Sequence, residues 1–238
     1  MKTMTLKHAK MFWIMGLCFE LLGILGMSSF RFAPMTFGIF GNIFRPVDIY
    51  QLWFYPAIDI IYVSLMLVAV KIISGITKEK KIFKYTLTIF VITLIWNLAK
   101  IPIMRLSIAN QGILNSFHMM LFLIIAFAVT ITTAVLLLRL LCRMSVLFGD
   151  SLFKLAGILQ LLSVLMGAAV VTIIITFNTE TIHILPTPPV NIMEIIDLII
   201  GTSLTVLTYA WMIILIIAVF RMKYAPSAPS KEERETAL

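Results

Sequence analysis

The chain has 238 residues, of which 61% are hydrophobic and 13% are charged, and its mean hydropathy is +1.06. Soluble domains are roughly 45–50% apolar and about 25% charged, so this composition excludes a soluble globular domain. The formal net charge of +8 does not indicate nucleic-acid binding, because basic membrane proteins owe such a charge to their cytoplasmic loops. We therefore expect a multi-pass protein of the cell membrane, with the lipid bilayer as its main partner.

The apolar residues form continuous runs and do not alternate with polar ones, as in LFLIIAFAVTITTAVLLL at 121–138. A run of about 20 apolar residues spans the hydrocarbon core as a helix, whereas the strands of a membrane β-barrel alternate. The sequence thus predicts an all-α, polytopic membrane protein with six transmembrane helices in one domain, 1–224. In chain order these helices are expected at about 10–29, 51–73, 85–104, 113–138, 151–177 and 192–220.

Three stretches outside these helices have a distinct composition. The segment 30–50 is rich in Phe and Gly and is expected at the membrane interface, or as a re-entrant loop. The connection 74–84, SGITKEKKIFK, has the densest charge of the chain. The polar segment 225–238 is rich in Pro and Ser at its start and is expected to be a disordered cytoplasmic tail.

The distribution of Lys and Arg predicts the orientation in the membrane. If both termini are cytoplasmic, the outer side receives only Arg31, Arg45 and Arg105. Cytoplasmic loops of membrane proteins carry an excess of Lys and Arg, so six spans with both ends inside are predicted. The residues then placed inside are Lys2, Lys7, Lys10, Lys71, Lys78, Lys80, Lys81, Lys84, Arg139, Arg143, Lys154, Arg221, Lys223, Lys231 and Arg234.

Five ionisable residues in the outer half of the predicted helices are the candidate binding residues. Ionisable side chains in hydrocarbon are costly and often functional. Asp59 would lie about 12 Å below the outer end of the second helix, and Glu194 and Asp197 would share one face of the sixth. Only Glu20, near the middle of the first helix, departs from this pattern. The prediction is an outer-facing polar cavity for a small solute or ion, lined by Asp59, Lys100, His118, Glu194 and Asp197.

In that cavity Lys100 would be the cation between the carboxylates, and His118 would tune binding near neutral pH. One alternative is that Lys100 and Glu194 extend to the outer interface and Asp59–Lys100 is a structural ion pair. Another is a structural or regulatory subunit, in which the polar groups contact a membrane-protein partner or a second copy of the chain. The sequence has no metal-ligand spacing, no paired membrane histidines for haem and no nucleotide fingerprint. No cofactor, metal site or catalytic residue is therefore predicted.

The run Asn97-Leu-Ala-Lys100-Ile, followed by His118, resembles the N-x-x-R-[IV]…His pattern of exosortase- and archaeosortase-like membrane peptidases. In that family the Arg and the His work with a Cys at the outer face. The resemblance implies an outer-face intramembrane enzyme that uses Lys100, His118 and Arg105. The chain departs from the pattern because Lys100 replaces the Arg and no Cys occurs between the second helix and Asn97. Without a nucleophile this chemistry fails, so a non-enzymatic protein is favoured.

Overall fold

The structure is a computed structural model that describes residues 5–28, 49–109, 116–180 and 190–223. These residues form six α-helices and no strand, so the expected all-α class is confirmed. The expected segment 30–50 and the tail 225–238 lie outside the described residues, except that Ile49 and Tyr50 begin the second helix. The helices are α1 (Leu6–Ser28), α2 (Ile49–Thr77), α3 (Lys80–Ala109), α4 (Ser116–Phe148), α5 (Leu152–Glu180) and α6 (Val190–Arg221).

Four stretches of these helices are long and apolar enough to cross a membrane. They are Pro56–Thr77, Lys80–Ala99, Ile124–Phe148 and Leu152–Ala169, and a shorter apolar stretch, Val206–Arg221, belongs to α6. Helices of this length and composition are compatible with a membrane-embedded protein.

The predicted connection 74–84 was wrong in extent. Helix α2 continues to Thr77 and α3 begins at Lys80, so the turn consists of Lys78 and Glu79. Lys78 has a positive φ of 57°, the left-handed conformation that often ends a helix. The Ser74 hydroxyl donates a hydrogen bond to the Glu79 carbonyl at 3.0 Å. Because Lys is a good helix former, the charge marks the end of the apolar stretch and not the end of the helix.

Helix α4 also extends beyond its predicted end at 138 and stops at Phe148. Gly149 has a φ of 64°, which an L side chain rarely adopts, and it ends α4. The Asp150 carboxylate then accepts a hydrogen bond from the Leu152 backbone N–H at 3.0 Å and caps α5. Two tight turns thus join α2 to α3 and α4 to α5 as antiparallel pairs.

Each helix packs against the next along the chain, and α6 also contacts α1, so the helices follow one another around a ring. Two contacts show that three parts of the chain lie at the same end of this ring. The Lys10 ammonium donates to the Phe220 carbonyl at 2.8 Å, and Arg221 Nε lies 3.3 Å from Asp150 Oδ2. The start of α1, the α4–α5 turn and the end of α6 therefore lie together.

The α2–α3 turn belongs to the same end, because α2 runs antiparallel to α1. We call this end the basic end. Its described cations are Lys7, Lys10, Lys71, Lys78, Lys80, Lys81, Lys84, Arg139, Arg143, Lys154, Arg221 and Lys223, and its described acids are Glu79 and Asp150.

The half of the bundle nearest the basic end is filled with apolar side chains. The Trp13 ring of α1 packs against Phe153 of α5, with centroids 6.3 Å apart, and Phe153 packs against Phe148 at 6.1 Å. All but one of the largest fully buried side chains lie within about 17 Å of the basic end of their own helix. They are Trp13, Leu17, Met66, Ile73, Ile82, Leu140, Leu141, Met144, Phe153, Met212 and Leu215, and the exception is Leu204 of α6, about 26 Å from that end.

The close contact of α4 and α5 at Gly157 predicts a matched pair of effects. A Cβ atom at Gly157 would lie 2.9 Å from Leu138 Cδ1 and 3.3 Å from Leu138 Cα, whereas at Gly75 it would meet nothing within 4 Å. Gly157→Leu is expected to destabilise the protein by about 1–3 kcal/mol through overpacking. Gly75→Leu should leave stability unchanged or raise it by up to about 1 kcal/mol, because Leu favours helix. Unfolding of both purified variants in detergent measures this, and equal effects would contradict it.

Candidate functional site

Helices α1 and α2 approach each other closely at Gly16. A Cβ atom there would lie 3.2 Å from the Tyr62 carbonyl oxygen and 3.3 Å from Leu65 Cβ. Small residues at such crossings let helix backbones come close together in membrane proteins. The side chains one turn away on the two contacting faces are therefore brought near each other.

Those side chains are two carboxylic acids. Glu20 follows Gly16 by one turn on α1, and Asp59 precedes Tyr62 by one turn on α2. Both residues are partly buried, and their carboxyl groups interact electrostatically. Glu20 lies about 21 Å from the start of α1, just beyond the apolar half described above. Two carboxyl groups are thus brought close together inside an apolar bundle.

The Tyr62 hydroxyl adds a third oxygen to this pair. The Tyr62 side chain is 8% exposed, its hydroxyl interacts with Glu20, and it has no hydrogen-bond partner among the described residues. A buried hydroxyl without a hydrogen-bond partner lowers stability by about 1–3 kcal/mol. The position of this hydroxyl therefore does not stabilise the fold. We call Glu20, Asp59 and Tyr62 the acidic pair site.

Other polar side chains lie at a similar distance from the basic end. Because a two-residue turn joins α2 to α3, Asn97 is level with the region of Ile60, next to Asp59. Asn97 is 1% exposed and its amide donates to the Thr93 carbonyl at 3.0 Å, while its Oδ1 has no partner among the described residues. Between α5 and α6, the buried hydroxyls of Ser163 and Thr208 are 3.1 Å apart. The bundle is therefore less apolar at this level than nearer its basic end.

The structure describes only one of the five predicted binding residues fully. Asp59 lies on α2 at the contact with α1, where Glu20 approaches it. Helical backbone carries the other four, Lys100 on α3, His118 on α4, and Glu194 and Asp197 on α6, but their side chains lie outside the described residues. The predicted cavity among the five therefore stays a prediction.

Sequence reasoning missed the role of Glu20. It was the exception to the outer-half pattern, although it is partnered with the candidate Asp59. The sequence could have suggested this pairing, because consecutive membrane helices run antiparallel and the carboxyl groups of Glu20 and Asp59 both lie near the middle of their helices. What the sequence did not give was the face of α1 that packs on α2, which Gly16 determines.

The chemistry of the site suits a small, hard cation. Carboxylate and hydroxyl oxygens favour protons and metal ions that prefer oxygen ligands, and soft transition metals favour thiolate and imidazole. No group of three or more His, Cys, Asp or Glu side chains that could hold a metal ion occurs among the described residues. With at most two negative charges, the site fits a proton or a monovalent cation best.

No protein-family model, curated protein or solved structure matches this chain. The resemblance to exosortase- and archaeosortase-like peptidases therefore depends on the residues Asn97, Lys100 and His118 alone. Of these, the Asn97 side chain is described, and its amide is bonded within its own helix.

The contact of Glu20 with Asp59 predicts that their contributions to stability are not additive. Replacing one carboxyl by an amide, in Glu20→Gln or Asp59→Asn, removes the like-charge interaction. The same replacement made in the other variant should then change the free energy of unfolding by a different amount than it does in the wild type. We expect a coupling energy of at least about 0.5 kcal/mol between the two replacements. Denaturant unfolding of the purified chain in micelles measures the cycle. Glu20→Gln combined with Glu79→Gln, in the distant α2–α3 turn, should be additive, and additivity in both cycles would contradict the contact.

Proposed function

We propose that the protein is a six-span protein of the cell membrane with both termini in the cytoplasm. The concentration of Lys and Arg at one end of the helix ring supports this orientation, since cytoplasmic segments carry the excess of positive charge. The end opposite to the basic end then faces outwards, and the acidic pair site lies near the middle of the membrane.

The orientation predicts the labelling of single cysteines introduced in place of Lys78 and Gln111. In a background with both native cysteines, Cys18 and Cys142, replaced by Ser, Lys78→Cys lies in the turn at the basic end. Gln111→Cys lies in the connection after α3, which the sequence places outside. A membrane-impermeant maleimide added to intact cells should label Gln111→Cys, and should label Lys78→Cys only after the cells are opened. The reverse pattern would refute the orientation.

We further propose that the protein is not an enzyme and that it binds a small cation, a proton or a monovalent metal ion, for passage across the membrane. The observation that supports this is the meeting of Glu20 and Asp59 beside the buried Tyr62 hydroxyl. Two carboxylates held together in a medium of low dielectric repel each other, and a cation or a shared proton between them relieves that repulsion. Acidic residues inside membrane helices frequently mark ion pathways for this reason.

Access to the site would come from the outer side. The basic half of the bundle is filled by the packing of Trp13 and Phe153, which leaves the opposite direction as the approach to Glu20 and Asp59. The sequence places its other candidate residues toward that side, and in this proposal they line the outer approach. They are Lys100, His118, Glu194 and Asp197.

The location of the acidic pair also bears on the alternative of a subunit of a membrane complex. Polar groups kept for a partner protein would be expected on the outside of the bundle. Glu20 and Asp59 instead meet between two helices of the same chain, at a contact set by Gly16. This favours a site that belongs to the chain itself.

Ion flux into liposomes containing the purified chain tests the proposed function. Uptake of protons, Na⁺ and K⁺ is followed separately with ion-sensitive dyes. For the ion that is moved, Glu20→Gln and Asp59→Asn should each reduce the initial rate at least about tenfold, which corresponds to about 1.4 kcal/mol. Glu79→Gln, the same change in the turn at the basic end, should retain the wild-type rate.

Two outcomes would contradict the proposed function. The first is that none of the three ions moves above the rate of empty liposomes. The second is that both carboxyl variants match the Glu79→Gln control. If, in addition, the chain is stable only with a co-purifying membrane protein, the subunit alternative replaces it.

A further inference from the structure

Helix α3 has an exposed stripe that changes from apolar to cationic along its length. Counting toward the basic end in steps of three or four residues, the exposed positions are Ile95, Val91, Thr88, Lys84 and Lys81. Steps of this size keep side chains on one helix face. Ile95 is 61% exposed and Val91 43%, so this face of the bundle is suited to lipid and not to water.

Helix α4 repeats the same change on its own exposed face. Ile125, Ala128 and Thr132 are followed by Arg139 and Arg143, all exposed and at helical spacing. Both arginines lie within the helix, since α4 continues to Phe148. The two arginines therefore continue the exposed face of a helix and do not lie in a loop.

The two stripes lie on adjacent helices, and their nearest cations, Lys81 and Arg139, lie at similar levels. The Trp96 ring of α3 stacks on Phe122 of α4, with centroids 5.3 Å apart. From this contact, Lys81 is about 22 Å along α3 and Arg139 about 26 Å along α4, both toward the basic end. Lys84 lies about one turn nearer the contact and Arg143 about one turn farther. We call Lys81, Lys84, Arg139 and Arg143 the α3–α4 basic surface.

The charges of this surface are not balanced within the described part of the chain. None of its four side chains has an ion-pair partner there. The nearby acid Asp150, at the α4–α5 turn, is engaged by Arg221 of α6 at 3.3 Å. The surface thus presents four unpaired cations next to exposed apolar side chains.

We propose that the α3–α4 basic surface binds the headgroup of an anionic phospholipid. An arginine at the end of an apolar stripe extends its guanidinium toward the phosphate layer of the bilayer. Guanidinium groups bind phosphate oxygens through paired hydrogen bonds, and lysines add point charges. The acyl chains would lie on the exposed apolar residues that precede the cations on both helices, such as Val91 and Ile125. A lipid is the occupant, and not a soluble phosphate, because the cations continue a lipid-facing apolar surface.

Lipid binding to the purified full chain tests this inference. The protein in mild detergent is mixed with equal amounts of phosphatidylglycerol and phosphatidylcholine, and lipid adducts are counted by native mass spectrometry. Wild type should retain phosphatidylglycerol in preference to phosphatidylcholine. The triple variant Lys81→Gln, Lys84→Gln, Arg139→Gln should lose this preference by at least about fivefold. The single variant Arg139→Gln, which alters one exposed side chain, should lose part of it.

A matched control removes the same charge from the same end of the bundle. Lys7→Gln, Lys154→Gln and Lys223→Gln are exposed changes on or next to α1, α5 and α6, and this triple variant should keep the preference for phosphatidylglycerol. Equal loss in both triple variants, or loss in neither, would overturn the proposal. Displacement of the lipid by millimolar inorganic phosphate would also overturn it, since a soluble anion would then be the ligand.

Discussion

Hydrocarbon offers no water to solvate a charge, and this constraint orders the whole bundle. It places the unpaired lysines and arginines at one end, where their side chains reach water or headgroups. It also makes the few ionisable groups farther inside expensive, so that each must be neutralised by a neighbour, a proton or a bound ion. Glu20 and Asp59 are the described residues to which this applies most directly. Their shared position follows from one small residue, Gly16, which brings α1 against α2.

The apolar half next to the basic end gives that contact its rigidity. Trp13 and Leu17 are fully buried; on α1, Trp13 lies one turn before the close approach at Gly16 and Leu17 directly follows it. Helix α1 therefore cannot turn Glu20 away from Asp59 without losing the packing contacts of these side chains, and such contacts hold helices together in a membrane. The repulsion between the carboxyl groups is held in place by apolar packing. In the proposed function, a cation that enters the site relieves this repulsion.

The sequence was sufficient for the class of fold, because continuous apolar runs and clustered cations follow directly from the bilayer. It failed on the helix ends, since both Lys78–Glu79 and Gly149 are short turns in which one left-handed residue stops a helix. Lys and Arg inside a helix look, in sequence, like Lys and Arg in a loop. Such a turn is visible only in the backbone.

The candidate site was predictable in part for a related reason. A carboxylate inside an apolar run is conspicuous, so Asp59 was found and Glu20 was noticed. Which acids meet depends on which faces of the helices pack, and every face of α1 is almost equally apolar. The decisive residue, Gly16, is one of 11 glycines in the chain and has no mark in the sequence that separates it from Gly75, which meets nothing. Which face of a helix packs against its neighbour is determined only in the assembled bundle.

The two halves of the bundle differ in where their polar and charged groups lie. Near the basic end, the inside of the ring is mostly apolar, and the described cations without an ion-pair partner lie outside it, on the α3–α4 basic surface. Farther along, the Tyr62 hydroxyl and the Asn97 carbonyl oxygen are buried without a hydrogen-bond partner among the described residues, and the carboxyl groups of Glu20 and Asp59 lie at a similar level. A ligand of carboxyl groups between helices must be small enough to enter the bundle. A ligand of the exposed cations can be as large as a lipid that lies beside the helices. The proposed cation site and the proposed lipid site are therefore separate, because helix packing places the carboxyl groups inside the bundle and the cations on its surface.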